Sequence, residues 1–139
     1  MGRRRIVIVL DTHVLIWFAE DVPDLGKRAA AVADEALRSD DLAVSAISFW
    51  EIAMLARKGR LKLADPPTAV RRKTLAQGVR EIAIDGAIGI GAAELSGFHG
   101  DPADRIIVAT ALANDATLIT ADWPIRRWRG PLKVRDARR

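Results

Sequence analysis

The chain has 139 residues, half of them hydrophobic and 29% charged, a balance that suits one globular domain over residues 1–139 and excludes a disordered segment. It has no cysteine, which removes disulfides, zinc–thiolate sites and thiol catalysis. Twenty-two Lys and Arg against 18 Asp and Glu leave a charge of +4, which suits a polyanionic partner, although an Ala- and Arg-rich composition gives the same balance without one.

In chain order, the basic start Met1-Gly2-Arg3-Arg4-Arg5 leads into Ile6-Val7-Ile8-Val9-Leu10. Asp11 ends this run, leaving it too short for a signal-peptide core or a membrane span. The expectation is a soluble cytoplasmic protein with no membrane association. As a β-branched stretch with no polar alternation, the run predicts a strand buried on both faces of a parallel sheet. A helix follows from residue 12 to about 20, and the Ala-rich stretch 25–38 predicts a second.

Leu42-Ala43-Val44-Ser45 predicts a short strand, then a helix through Trp50, Ile52 and Leu55 that stops at Gly59. Asp65-Pro66 predicts an N-cap with proline in the first turn of the next helix. Glu81-Ile82-Ala83-Ile84 is a third strand candidate, followed by a helix near 87–95 that Gly86, Gly89 and Gly91 weaken. Asp101-Pro102 opens a well-patterned helix through Ile106, Ile107, Ala109 and Leu112. Thr117-Leu118-Ile119-Thr120 is a fourth strand and Leu132-Lys133-Val134 a fifth. Alternating strands and helices predict a three-layer α/β/α domain with a parallel sheet of about five strands. The two arginine-rich termini are expected to fray.

Ligands of such sheets bind beyond the carboxyl ends of the strands. Asp11 directly follows the first strand, Asp122 lies two residues past the fourth, and Asp104 and Glu51 fall in early helical turns. Each acid has a plain structural explanation. Asp11 and Asp122 can cap helix or turn, Asp104 can favour a helix dipole, and Ser48-Phe49-Trp50-Glu51 matches a capping box. None of these explains why all four would gather. If they share one sheet edge, two carboxylates about 4 Å apart repel by roughly 4 kcal/mol at an effective dielectric near 20. A hard divalent cation such as Mg²⁺ or Mn²⁺ relieves that repulsion and can activate water for attack on a phosphodiester.

Four segments make the sequence resemble a PIN domain, and more narrowly a VapC-type toxin of type II toxin–antitoxin systems: Val9-Leu10-Asp11-Thr12-His13, Ser45-Ala46-Ile47-Ser48-Phe49-Trp50-Glu51-Ile52-Ala53, the run from His99-Gly100-Asp101-Pro102-Ala103-Asp104-Arg105 to Ala111, and Leu118-Ile119-Thr120-Ala121-Asp122. The resemblance implies a Mg²⁺- or Mn²⁺-dependent endoribonuclease with Asp11, Glu51, Asp104 and Asp122 as its acidic quartet. It also implies a homodimer and a cognate VapB-type antitoxin that covers the cleft. The other reading is a catalytically inactive PIN fold that binds RNA or protein. A phosphoacceptor receiver domain is set aside because Asp11 has no acidic neighbour, and a haloacid-dehalogenase-type phosphatase because His13 stands where its second aspartate belongs.

Thr12 and Thr120 are candidates for orienting a carboxylate or a bound water, and Asp101 is a helix cap with a lesser supporting duty. His13 and His99 read as packing or polar-contact residues, and Arg105 as an ion-pair partner fixing the cleft. Among the basic clusters (Arg3-Arg4-Arg5, Arg57-Lys58-Gly59-Arg60, Arg71-Arg72-Lys73 and Arg126-Arg127-Trp128-Arg129), Arg57, Lys58 and Arg60 are favoured for RNA contact. Trp17, Phe18, Phe49 and Trp50 are core or dimer-interface candidates rather than base-stacking groups.

Overall fold

A computed structural model describes residues 5–139; Arg3 and Arg4 of the N-terminal basic cluster lie outside the described residues. Five strands, β1 (Ile8–Leu10), β2 (Leu42–Ser45), β3 (Arg80–Ile82), β4 (Thr117–Thr120) and β5 (Lys133–Asp136), form one sheet in the order β3-β2-β1-β4-β5. Every pairing is parallel. Between them run α1 (Thr12–Glu20), α2 (Lys27–Arg38), α3 (Ile47–Arg57), α4 (Pro67–Ala76), α5 (Gly86–Ala93), α6 (Pro102–Ala113) and α7 (Trp123–Arg127).

The strand sequences decide which face each helix covers. Ile8 and Leu10 of β1, Leu42 and Val44 of β2, and Ile119 of β4 point to one side, where they pack with Val14 and Leu15 of α1 and Ala29 and Ala33 of α2. Val9, Ala43 and Leu118 point to the other, against Ile107, Val108 and Ala111 of α6 and Ile125 of α7. This period of two is strand geometry, and both sides are apolar because helices cover both.

Three local expectations change. Asp65 does not cap α4: Pro66 holds the N-cap position without a side-chain bond, and Asp65 instead pairs with Lys73 at 2.8 Å. The expected 81–84 strand is shifted to Arg80–Ile82, with Arg80 opposite Ala43 and Glu81 opposite Val44. The turn expected around Pro124 closes into a short helix with Pro124 in its first turn, where its missing N–H costs nothing. By contrast, the glycine-rich α5 does form. The Asp85 side chain accepts from the Ile88 N–H at 2.8 Å, and Ile88 and Ala92 pack on Ala109 of α6.

The C-terminus overturns its expectation more completely. After β5 the tail is tied in place: the Ala137 N–H donates to the Thr120 carbonyl at 3.0 Å and the Ala137 carbonyl accepts from Gly26 N–H at 2.8 Å. Arg28 N–H then donates to the Arg139 carbonyl at 2.9 Å, and Ala137 is fully buried. The approach is so close that a Cβ on Gly26 would stand 2.3 Å from the Arg139 backbone. Replacing Gly26 by Ala must push the tail off, which is expected to cost about 1–3 kcal/mol. Urea unfolding of Gly26→Ala measures this, and an unchanged midpoint would show that the tail contributes nothing.

Candidate active site

The chain runs outward from β1 through β2 to β3 and then crosses back to β4 on the other side of β1. The resulting switch point lies between β1 and β4, the place where an open parallel sheet leaves a crevice at its carboxyl edge. Asp11 follows β1 there, and Asp122 follows β4 as the N-cap of α7. The second turn of the helix after β2 brings Glu51, and the first turn of the helix before β4 brings Asp104, to the same edge. These four acids and Asp101 line one cleft of about 390 Å³.

Asp11 is buried and fully bonded. One oxygen accepts from the Thr12 N–H at 2.8 Å and the other from the Thr120 hydroxyl at 2.5 Å. Thr120 is the hinge of the arrangement, because its Oγ1 also accepts from the Asp122 N–H at 3.0 Å. One threonine therefore sets the spacing between the acids that follow two different strands. Asp122 is turned by a further bond, its Oδ2 accepting from the Ile125 N–H at 3.1 Å. Asp101 caps α6 by accepting from the Asp104 N–H at 2.8 Å, so it holds the backbone of the very acid it faces.

Ser48 and Glu51 do not form a capping box. The helix begins at Ile47, with Ala46 as N-cap and no side-chain cap bond, so Ser48 is already inside it. Its Oγ instead accepts from the Thr12 hydroxyl at 2.9 Å, tying α3 to α1. Glu51 is thereby left to face the cleft. Oxygens of Glu51, Asp101 and Asp104 lie within 4.8 Å of one another.

Charge crowding shows in the proton affinities. Burial pushes the Asp11 carboxyl up, against the opposing bonds from Thr120 and Thr12. Burial likewise raises Glu51, with the neighbouring Thr12 hydroxyl pulling the other way. Asp104 goes furthest, to about 8, through burial first and then the charges of Asp101, Asp11, Asp122 and Glu51. An all-carboxylate donor set that resists ionisation without a counter-charge is the chemistry a hard cation requires.

The remaining predicted residues fall elsewhere. Arg57, Lys58 and Arg60 are all exposed, at and just beyond the far end of α3, about 9 Å or more along the helix from Glu51, and none lines the cleft. Arg105 forms no ion pair among the described residues; its guanidinium donates to the carbonyls of Ala92, Ala93, Leu95 and Phe98. It thus satisfies the open end of α5 and pins the loop that leads into Asp101. His13 is exposed on the cleft wall rather than packed, and His99 is also exposed. Trp17, Phe18 and Phe49 pack on the core, whereas Trp50 is 55% exposed.

Trp17 and Arg138 complete the cleft. The returning C-terminal tail places Arg138 at its rim, with the guanidinium 5.2 Å from the centre of the Trp17 ring. Nothing in the sequence marks Arg138, because its position depends on the Gly26–Ala137 bond far along the chain.

Comparisons with known proteins agree with this architecture. The PIN domain family model matches residues 8–130. The chain is 38% identical over 128 residues to Ribonuclease VapC22 of Mycobacterium tuberculosis (strain ATCC 25618 / H37Rv), covering 91% of this chain and 95% of that protein. Among solved structures, it resembles a chain of VapBC2 from Rickettsia felis bound to a promoter DNA fragment, with a TM-score of 0.70, 17% identity, and 94% and 98% of the two chains covered. A chain of DNA-bound VapBC from Salmonella typhimurium matches with a TM-score of 0.66 at 19% identity, again covering 94% and 98%.

The raised carboxyls fix the sign of a pH effect. Asp104 has an unfolded value of 3.8 and a folded value of about 8. The folded chain therefore holds an extra proton between these values, and stability must fall as pH rises from 4 to 8. Glu81 is lowered by its hydrogen bond from Arg71, so its contribution fades only below its ordinary 4.5 and leaves the range above pH 5 clear. After allowance for solvent screening, the effect is of the order of 1–2 kcal/mol, or roughly 4–8 °C in Tm. Metal-free protein should melt lower at pH 8 than at pH 5, and Asp104→Asn should flatten that slope. Equal slopes for both proteins would contradict the crowding.

Proposed function

The chain belongs to the PIN-domain family, and from that premise we propose that it is a metal-dependent endoribonuclease acting as the toxin of a type II toxin–antitoxin pair. The observation that carries this reading is the gathering of Asp11, Glu51, Asp104 and Asp122 in one cleft at the sheet's switch point, with Asp104 pushed to about 8. The 38% identity to a protein named a ribonuclease, over nearly its whole length, supports the same activity.

The four acids would hold Mg²⁺ or Mn²⁺, whose preference for carboxylate and water oxygens suits a donor set without nitrogen or sulfur ligands. A bound cation supplies charge neutralisation and an activated water for phosphodiester hydrolysis. The chain's own side chains do the rest. Thr120 and Thr12 fix both oxygens of Asp11, Thr120 and Ile125 orient Asp122, and Asp101 sets the first turn that carries Asp104. Glu51, raised by burial, would complete this acidic set from the α3 side of the cleft. Arg138, held against Trp17 at the rim, offers a guanidinium fork for a phosphate of the RNA strand.

A VapB-type antitoxin would neutralise the enzyme by covering this cleft, and the working form would be a homodimer, as the names of VapBC relatives suggest for the first of these. No helix among the described residues is long and apolar enough to cross a membrane; a cytoplasmic location is part of the proposal.

Asp104→Asn and Asp11→Asn should each lower cleavage of single-stranded RNA by about a thousandfold or more, and EDTA should abolish it in the wild type. Cleavage that survives EDTA, or an Asp104→Asn protein as active as the wild type, would refute the metal-site reading. Thr120→Val, which keeps the shape but removes the shared hydroxyl, should reduce kcat by about 10–100-fold while the protein stays folded by circular dichroism.

A further inference from the structure

A second cavity, of about 590 Å³, adjoins the acidic cleft. One wall is the loop before α6, with Phe98 and His99; the other is α7 and the turn after it, with Arg127, Trp128 and Arg129. We propose that this cavity binds one nucleotide of the RNA strand, adjacent to the bond being cut, with its base against Trp128 and its phosphate on Arg127 and Arg129. The proposal rests on the ribonuclease reading for the position of the cut bond, and on three features of its own.

The first is continuity. His99 lines the cavity and Asp101, two residues on, lines the cleft; Asp122 lines the cleft and Pro124, two residues on, lines the cavity. Gly100 marks how thin the partition is. A Cβ there would stand 2.5 Å from the Phe98 ring and 3.0 Å from the Asp104 Cβ.

The second is charge. The cleft is lined mainly by carboxylates, so RNA phosphates must be held from outside it. The cavity walls carry no acid, and Arg127 and Arg129 are exposed and form no ion pair among the described residues. Other basic groups are differently used: Arg126 is 3.0 Å from Asp136, Arg71 is bound to Glu81 and Lys73 to Asp65.

The third is a fixed apolar wall. Trp128 is half-buried, its ring 5.6 Å from that of Phe98 and tilted by 57°, and its Nε1 donates to the Ser96 carbonyl at 3.0 Å. Gly130 leaves room for the indole, since a Cβ there would lie 2.1 Å from it. An immobilised indole beside free guanidinium groups suits a base and its phosphate, as on single-strand binding surfaces. The cavity is also large enough for one nucleotide.

The test uses the full chain and a single-stranded oligoribonucleotide carrying 4-thiouridine at successive positions, bound with Ca²⁺ and photocrosslinked. Crosslinks are expected in residues 96–99 or 127–130 from a single position next to the cleavage site. Arg127→Ala/Arg129→Ala should weaken binding about tenfold or more and reduce the salt slope by roughly 0.7, the value for one phosphate contact on a single strand. Its kcat/KM should fall at least about tenfold further on the oligonucleotide than on bis(p-nitrophenyl) phosphate, which is too small to span both sites. Crosslinks confined to other segments, affinity within twofold of wild type, or equal losses on both substrates would each overturn the pocket. A chain that crosslinks as expected yet cuts no RNA with Mg²⁺ or Mn²⁺ would keep the pocket and remove the ribonuclease reading.

Discussion

The repulsion among carboxylates at the β1–β4 switch point is the constraint around which this fold is built. Asp11, Glu51, Asp101, Asp104 and Asp122 share one cleft, and Asp104 is held near 8 by burial and by the other four. Left alone, such a group would spread apart or protonate. What prevents spreading is a set of short bonds from groups that are themselves buried. Thr12 and Thr120 have no exposed surface, and between them they fix both oxygens of Asp11 and the backbone of Asp122. A buried unpaired hydroxyl is costly, so Thr120 needs its partner in the cleft as much as the acids need it, while the Thr12 hydroxyl is satisfied by Ser48 beneath. Rigidity at the cleft therefore comes from the core beneath it. What is lost is stability of the metal-free chain at neutral pH, a common trade at functional sites.

Much of the scaffold was legible because short-range rules and burial agree. The strand at Ile8–Leu10 is uninterrupted and apolar, and it is the sheet's centre. Asp101-Pro102 carries both a cap and a proline in the first turn, and α6 starts there. Asp11, Asp104 and Asp122 were visible at strand or helix ends, and their convergence follows from strand order. Glu51 was harder, since Ser48 offered it a capping role that disappears only because the helix begins two residues earlier than that role requires.

The features that were not legible depend on long-range contacts. Arg105 sits beside an acid and looks like an ion-pair partner, yet four carbonyls around the end of α5 take its donors. No local pattern announces that, because the carbonyls lie 7–13 residues upstream. The tail has the composition of a fraying end, and backbone bonds to Thr120, Gly26 and Arg28, with room left by the missing Cβ of Gly26, turn it into part of the domain. Arg138 at the cleft is a consequence of that docking, which the Thr120, Gly26 and Arg28 backbones share.

The charge of the protein is best understood as a ring around a hole. A net +4 says little by itself, and several basic groups are engaged in ion pairs with Asp41, Glu81, Asp65 and Asp136. The cations at the cleft are arranged differently on the two sides of the sheet. Arg138 lies over Trp17, which packs on the α1–α2 core, while Arg127 and Arg129 flank Trp128, which packs on the α6–α7 core. The acids stand at the sheet edge between these cores. A polyanion drawn to both sides must cross that edge, and the shortest crossing takes its backbone over Asp11 and Asp104. On the proposed reading, attraction at the flanks would oppose repulsion at the centre, and a cation in the cleft would offset part of the acids' charge. On that reading, substrate binding and metal binding would be coupled, each lowering the cost of the other.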